Sequence, residues 1–325
     1  MISKPETGGT MTTPGDLPAV GETLLTLRGV SKSYGTKQAA RDVCLSIPRG
    51  AIYGFLGPNG AGKTTTIRCI MNIILPDSGE ILLAGRPLAR ELRDRIGYLP
   101  EERGLYRKMK CVEQLAYLAQ LKGVPRKEAL VRADAWLERL GLGENRDKKV
   151  DTLSKGMQQK IQFAATFICK PHLVILDEVF SGLDPLNIEL LRGLIMEEKS
   201  RGTTILFSTH MLAEAEKVCD AICLIEGGEV ILDGALGDVR KQFTLKSVKV
   251  ALAGDLDPPP DLPGVIARKK TEGAWQLTLD EGADPQALLA PLAAAGRVEL
   301  FAANRPSLSE IFLAAVARHR AEVAA

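Results

Sequence analysis

The sequence predicts an α/β fold: a largely parallel sheet interrupted by a block of helices, followed by a small α+β unit. Three observations lead there. A glycine-rich loop lies between an apolar strand and a helix. Short apolar runs alternate with helical stretches on both sides of a purely helical block. Around residue 243 that alternation gives way to a different mixture.

Taken in order, residues 1–23 are rich in Thr, Gly and Pro and lack the apolar centre of a signal peptide, so a flexible tail is expected. Residues 24–30 and 43–47 alternate as strands, with Lys32-Ser33-Tyr34-Gly35 between them. Residues 51–56 form a short apolar strand. The loop Gly57-Pro58-Asn59-Gly60-Ala61-Gly62-Lys63-Thr64-Thr65 follows, and residues 66–71 open a helix. Asp77-Ser78-Gly79 is a turn before a strand at 80–84, and residues 96–100 form another short strand stopped by Pro100. From 111 to about 142 the apolar spacing is helical, with Leu115, Leu118 and Ala119 on one face and Leu130, Ala133, Leu137 and Leu140 on another. This block is read as an inserted subdomain spanning about 101–165. A further helix runs to about 169.

Alternation then resumes. Residues 173–176 form a buried-type strand ending in Asp177-Glu178, a helix covers 187–199, and a strand from 203 to 208 ends in Thr209-His210. A helix at about 211–218 precedes strands at 221–225 and 229–232. Beyond 243 come a turn at Asp257-Pro258-Pro259-Pro260-Asp261 and strands at 248–252, 265–269 and 275–279. A helix at about 285–295, a strand at 298–302 and a helix at about 307–318 complete the chain. The expected division is therefore a tail at 1–23, a main domain at 24–243 and an accessory domain at 244–325.

Composition limits the function classes. The 325 residues carry a net charge of +2, and neither part is strongly charged: residues 244–325 hold 9 Lys/Arg against 10 Asp/Glu. No basic face for nucleic acid and no polybasic membrane anchor is expected. No run of 18 apolar residues occurs, so no membrane-spanning helix is expected and the chain reads as cytoplasmic. The six cysteines lack the spacing of a zinc site and read as reduced thiols.

The loop at 57–65 fits Gly-x4-Gly-Lys-Ser/Thr in the strand–loop–helix context this pattern needs. Glycines let backbone N–H groups turn around an anion, and the helix N-terminus adds a favourable dipole. Lys63 would reach the β- and γ-phosphates, and the Thr64 hydroxyl would ligate Mg²⁺. A phosphate loop alone leaves GTPase, kinase and ATPase open. Asp177, ending an apolar strand, is placed to hold Mg²⁺ through water, and Glu178 beside it can polarise an attacking water.

Two further pieces narrow the choice. Leu153-Ser154-Lys155-Gly156-Met157-Gln158-Gln159 resembles the signature loop of ABC-type ATPases, and Ser181-Gly182-Leu183-Asp184-Pro185 resembles their D-loop. His210 resembles their switch histidine, and Tyr34 the aromatic that stacks on adenine. The order of these motifs over 24–243 resembles a whole ABC nucleotide-binding domain. The resemblance implies ATP and Mg²⁺ as ligands and two copies paired head to tail. Ser154, Gly156 and Asp184 of one copy would complete the ATP site of the other, and His210 would contact the γ-phosphate.

Four positions depart from the family pattern. Lys155 and Met157 replace residues of the signature, Val179 replaces the proline after the acidic pair, and Glu101 stands where a glutamine usually contacts Mg²⁺. Pro100-Glu101-Glu102-Arg103-Gly104-Leu105-Tyr106, with Leu153 to Lys160 and Pro306 to Phe312, resembles the sodium-extrusion-type ABC exporters. That subgroup implies separate transmembrane permease subunits, a homodimer of ATP-binding subunits and attachment to the inner membrane face. A soluble ABC ATPase acting on ribosomes or nucleic acid, or an importer subunit, are the alternatives. In such exporters the membrane subunits, not this chain, are expected to choose the transported substrate.

Overall fold

The structure is a computed structural model that describes residues 17–88, 95–102, 104–243, 247–253, 261–271, 273–280, 282–304 and 306–324. The expected tail up to residue 16, Arg103 and the turn at 257–260 lie outside the described residues. From Leu17 onward the chain is tied down: Leu17 packs on apolar core, and Gly21 N–H donates to the Arg49 carbonyl at 3.1 Å.

Two sheets build the main domain. Strands β1 (Thr23–Tyr34), β2 (Lys37–Pro48), β4 (Ser78–Leu83) and β5 (Arg86–Pro87) form an antiparallel sheet in the order β2-β1-β4-β5. Alternation suggested the strands, but not that they leave the parallel sheet to make a layer of their own. The second sheet has the order β10-β9-β3-β8-β7-β6, from β3 (Ile52–Leu56), β6 (Ile96–Leu99), β7 (Leu173–Asp177), β8 (Thr204–Thr209), β9 (Ala221–Glu226) and β10 (Glu229–Ala235). It is parallel except for β10, which pairs antiparallel with β9.

Both faces of this sheet are covered, which is why its strands read as continuous apolar runs rather than as alternation. Leu173 and Ile175 face the antiparallel sheet and helix α1 (Lys63–Ile70). Val174 and Leu176 face the other way, toward α2 (Cys111–Leu121), α3 (Arg126–Arg139) and α4 (Lys155–Phe167). In this helical block Trp136 packs against Phe163 and Phe167, and the Arg139 guanidinium lies 4.0 Å from the Trp136 ring. Helices α5 (Pro185–Ser200), α6 (Leu212–Val218) and α7 (Leu236–Gln242) complete the domain.

The C-terminal unit is a four-stranded antiparallel sheet in the order β12-β13-β11-β14, made of β11 (Ser247–Leu252), β12 (Val265–Thr271), β13 (Ala274–Leu279) and β14 (Val298–Asn304). Helix α8 (Leu289–Ala295) covers it, and Val248, Val250, Leu277, Leu279, Leu288 and Leu292 are among its buried core residues. The last helix, α9 (Leu308–Ala324), behaves differently. Leu308, Ile311 and Ala315 are buried in the core of the main domain, and α9 packs against α6 and β10.

Candidate functional site

The loop between β3 and α1 sits at the C-terminal edge of the parallel sheet, where ligands of open α/β sheets bind. Its shape demands glycine at two points. Gly62 has φ 109°, and a Cβ there would lie 2.2 Å from the Ala39 carbonyl oxygen. A Cβ on Gly57 would lie 2.3 Å from the Ile225 carbonyl oxygen. The loop is thus seated directly against β2 and the end of β9. Gly62 caps α1, so the free N–H groups of the first turn face the loop's cavity.

That cavity, about 450 Å³, is lined by Tyr34, Asn59, Lys63, Thr64, Glu101 and Glu178, among others. Lys63 is 6% exposed and its ammonium donates to the carbonyls of Gly57 at 2.7 Å and Pro58 at 3.0 Å. It lies 3.9 Å from Glu178 Oε1. Burial lowers the Lys63 pKa, opposed by the nearby carboxylates of Glu178, Asp177 and Glu101. The Thr64 hydroxyl donates to Asp177 Oδ2 at 3.2 Å, and Ser208 donates to Oδ1 at 2.8 Å. Asp177 is fully buried. Burial raises its carboxyl above the ordinary aspartate value, the two hydroxyl donors act the other way, and Glu178 and Glu101 add to the rise.

Glu178 is held more firmly. One oxygen accepts from Thr209 Oγ1 at 3.1 Å, and the other accepts the His210 backbone N–H at 3.0 Å and faces His210 Nδ1 at 2.9 Å. Its backbone is left-handed, φ 54°, a conformation that costs a non-glycine residue about 1–3 kcal/mol. Buried Val179 and Phe180 follow, and Phe180 packs on Phe207 with ring centroids 5.4 Å apart. The fold therefore keeps the Glu178 side chain aimed past His210 at the loop.

The structure divides the expected site residues into two groups. Tyr34, the glycine loop, Glu101, Asp177, Glu178 and His210 come together. Tyr34 stands half-exposed at the end of β1, and Glu101 lies on the surface after β6. Ser154, Gly156 and Asp184 form a separate cluster that does not line the cavity. Ser154 caps α4 by accepting from Met157 N–H at 3.3 Å. Asp184 caps α5 by accepting from Asn187 N–H at 3.0 Å, and these bonds hold its carboxyl below the ordinary value. A Cβ on Gly156 would come 3.5 Å from the Asn187 amide nitrogen, so the two motifs are neighbours on one face.

Three contributors were missed in the sequence, and a fourth, Gln159, was read only as the end of the signature loop. Lys37 and Ala39 of β2 line the cavity, though nothing in their local pattern marks them. Gln159 donates to the Val179 carbonyl at 3.3 Å, and Gln162 to the carbonyls of Pro100 at 3.1 Å and Glu102 at 3.2 Å. Their i,i+3 spacing on α4 puts both on the face turned to the site. One helix thus ties the acidic strand to the Glu101 loop.

Comparison with known proteins agrees with this geometry. A family model described as "ABC transporter" matches residues 40–181, and one described as "ATP-binding protein DrrA1-3-like, C-terminal domain" matches residues 234–316. The chain is 40% identical over 290 residues to the uncharacterized ABC transporter ATP-binding protein YhaQ of Bacillus subtilis (strain 168), covering 89% of this chain and 97% of YhaQ. It is 32% identical over 303 residues to the daunorubicin resistance ATP-binding protein DrrA3 of Streptomyces coeruleorubidus, covering 90% and 96%. A solved ATP-binding subunit of an ABC transporter superposes with a TM-score of 0.64 at 36% identity, covering 68% of this chain and 93% of that one. With the glycine loop, the acidic strand and these likenesses in agreement, the chain belongs to the ABC transporter ATP-binding proteins, which hydrolyse ATP.

Proposed function

We propose that the chain is the ATP-hydrolysing subunit of an ABC-type exporter, with residues 24–243 as its ATP-binding domain and 244–325 as an accessory domain. The observation that carries the hydrolytic reading is the Glu178 carboxylate, fixed by Thr209 and His210 at the mouth of the phosphate-loop cavity. In this reading Tyr34 stacks on adenine, and the loop from Gly57 to Thr65 wraps the phosphates. Lys63 exchanges its carbonyl partners for phosphate oxygens. Glu178 accepts hydrogen bonds from the attacking water and takes up its proton, while His210 holds the carboxylate in place and reaches the γ-phosphate.

The Thr64 hydroxyl, Asp177 and Glu101 are a hard, all-oxygen donor set that suits Mg²⁺. When bound, the ion would neutralise charge on the phosphates.

Ser154, Gly156 and Asp184 lie together outside this cavity, and Ser154 is exposed at a helix N-terminus. This supports their completing the site of a second copy, so that ATP bridges a homodimer. Transmembrane permease subunits on separate chains would hold the dimer at the inner face of the membrane. Among the described residues no helix is long and apolar enough to cross one. The export direction is supported by the DrrA-like C-terminal match and the drug-resistance relative. Sodium as cargo rests on the motif resemblance alone, and a drug or other small molecule fits the relatives equally.

The test is co-purification with candidate permease chains, followed by ATP-dependent efflux from vesicles containing both. Efflux that requires Glu178 supports the proposal. Association with ribosomes or nucleic acid in place of a membrane partner would overturn it.

A further inference from the structure

The turn joining β9 to β10, Glu226-Gly227-Gly228-Glu229, touches the phosphate loop on one side and α9 on the other. Gly228 N–H donates to the Ala61 carbonyl at 2.9 Å, and the Gly228 carbonyl accepts from Arg41 N–H at 2.8 Å. The packing leaves no slack. A Cβ on Gly228 would lie 3.2 Å from the Ala39 backbone, and the Cβ position of Gly62 is 3.4 Å from Gly228 Cα. Backbones this close move together, so a shift of the turn displaces Ala61 and Gly62.

The two ends of the turn carry carboxylates. Glu229 Oε1 accepts from Arg41 Nη1 at 2.6 Å, while its Oε2 lies 3.2 Å from His319 Nε2 on α9. Glu226 Oε1 accepts from Arg320 Nη2 at 3.0 Å. Both glutamates are more than two-thirds buried and His319 is three-quarters buried, so the Glu229–His319 contact is better shielded than an ordinary surface pair, while Arg320 reaches Glu226 from solvent. Helix α9 is itself anchored by Leu308, Ile311 and Ala315 in the core. A rigid element thus grips both ends of the turn that braces the phosphate loop.

We propose that His319 and Arg320 are positioning residues for the phosphate loop. Acting through Glu229 and Glu226, they fix the height of Ala61 and Gly62, and so α9 tunes the affinity for the triphosphate. This inference rests on the reading of Gly57–Thr65 as the triphosphate site.

The test uses the full chain, with MgATP affinity measured by titration calorimetry and steady-state ATPase measured in parallel. His319→Ala with Arg320→Ala should weaken ATP binding by about threefold to tenfold, both contacts to the turn being lost, with the loss concentrated in KM rather than kcat. Arg320 is largely exposed, so the variant should fold. His319→Lys with Arg320→Lys, which keeps an N–H donor opposite each glutamate, should recover most of the affinity. Unchanged affinity in the alanine variant, or a fall in kcat at constant KM, would overturn the proposal. So would a lysine variant as weak as the alanine one. Lys63→Ala serves as the control. If it leaves ATP affinity intact, the triphosphate reading itself fails. If it weakens binding while the α9 variants bind normally, only the positioning role fails.

Discussion

Glu178 and His210 are coupled through two contacts of one oxygen: Oε1 accepts the His210 backbone N–H at 3.0 Å and lies 2.9 Å from its ring Nδ1. The backbone contact survives any change of the imidazole, whereas the ring contact does not. Glu178→Gln should therefore keep ATP binding, lose hydrolysis by about 10²–10⁴-fold as expected for removal of a general base, and accumulate an ATP-bound dimer. His210→Ala should lose less, because Thr209 and the backbone still hold the carboxylate. Steady-state ATPase and size-exclusion chromatography with ATP check both. Normal turnover in Glu178→Gln would remove Glu178 from its assigned role.

Lys63 is almost fully buried and bonded to two carbonyls of its own loop, so its removal has two effects. The cation is lost from the phosphate site and the loop loses its internal tie. Lys63→Ala should weaken ATP binding by about 1.5–3 kcal/mol, the range for a hydrogen bond to a charged group. Calorimetric titration measures it, and Lys63→Arg should not restore binding, because the larger guanidinium cannot occupy the same enclosed space.

Gly62→Ala would place a methyl group 2.2 Å from the Ala39 carbonyl oxygen, at φ 109°. Backbone must move to admit it. A loss of about 1–3 kcal/mol in stability is expected from the conformation alone, with a larger proportional loss in nucleotide affinity. Gly60→Ala is the comparison: it also has positive φ, but a Cβ there meets no atom within 4 Å. Thermal melting and ATP titration of the pair separate strain from collision.

The start of α9 supplies a pH prediction. Ser307 N–H and Oγ both donate to Glu310 Oε2 at 2.8 Å, and Glu310 N–H donates back to Ser307 Oγ at 3.3 Å, a reciprocal capping box. Burial tends to raise the Glu310 carboxyl, but the hydrogen bonds from Ser307 and Gln276 outweigh it and hold it below the ordinary glutamate value. A depressed carboxylate contributes stability that is present above the unfolded value and lost as pH falls through the folded one. The melting temperature of Glu310→Gln should therefore fall less than that of the unaltered chain between about pH 5 and pH 3, around and below the ordinary carboxylate value. Ser307→Ala should cost about 1 kcal/mol at pH 7. An identical acid response in Glu310→Gln would exclude this contribution.

Where chemistry and local pattern coincide, the sequence was informative. The glycine loop, Asp177-Glu178 and the helices of the inserted block lie where spacing put them. Residues held by distant contacts were hidden. Ala39 enters the site because its carbonyl presses on Gly62, and no periodicity in β2 announces that. Gln162 reads as an ordinary helical glutamine until α4 is laid against the Pro100 loop. Helix α7 escaped notice because seven residues containing Gly237 carry almost no helical signal. The separate antiparallel sheet was equally obscure, since alternation defines a strand but not which strand it joins.

Helix α9 also bears on how the molecule is made. Its residues Leu308, Ile311 and Ala315 fill the core of a domain whose other elements end at α7, yet the whole small sheet is translated in between. While the ribosome is still producing β11 to β14, the surface of α6 and β10 awaiting α9 stays open to water and to chaperones. The ATP-binding core of this chain thus closes only after its accessory sheet has been synthesised, which makes the second unit a checkpoint in the biogenesis of the first.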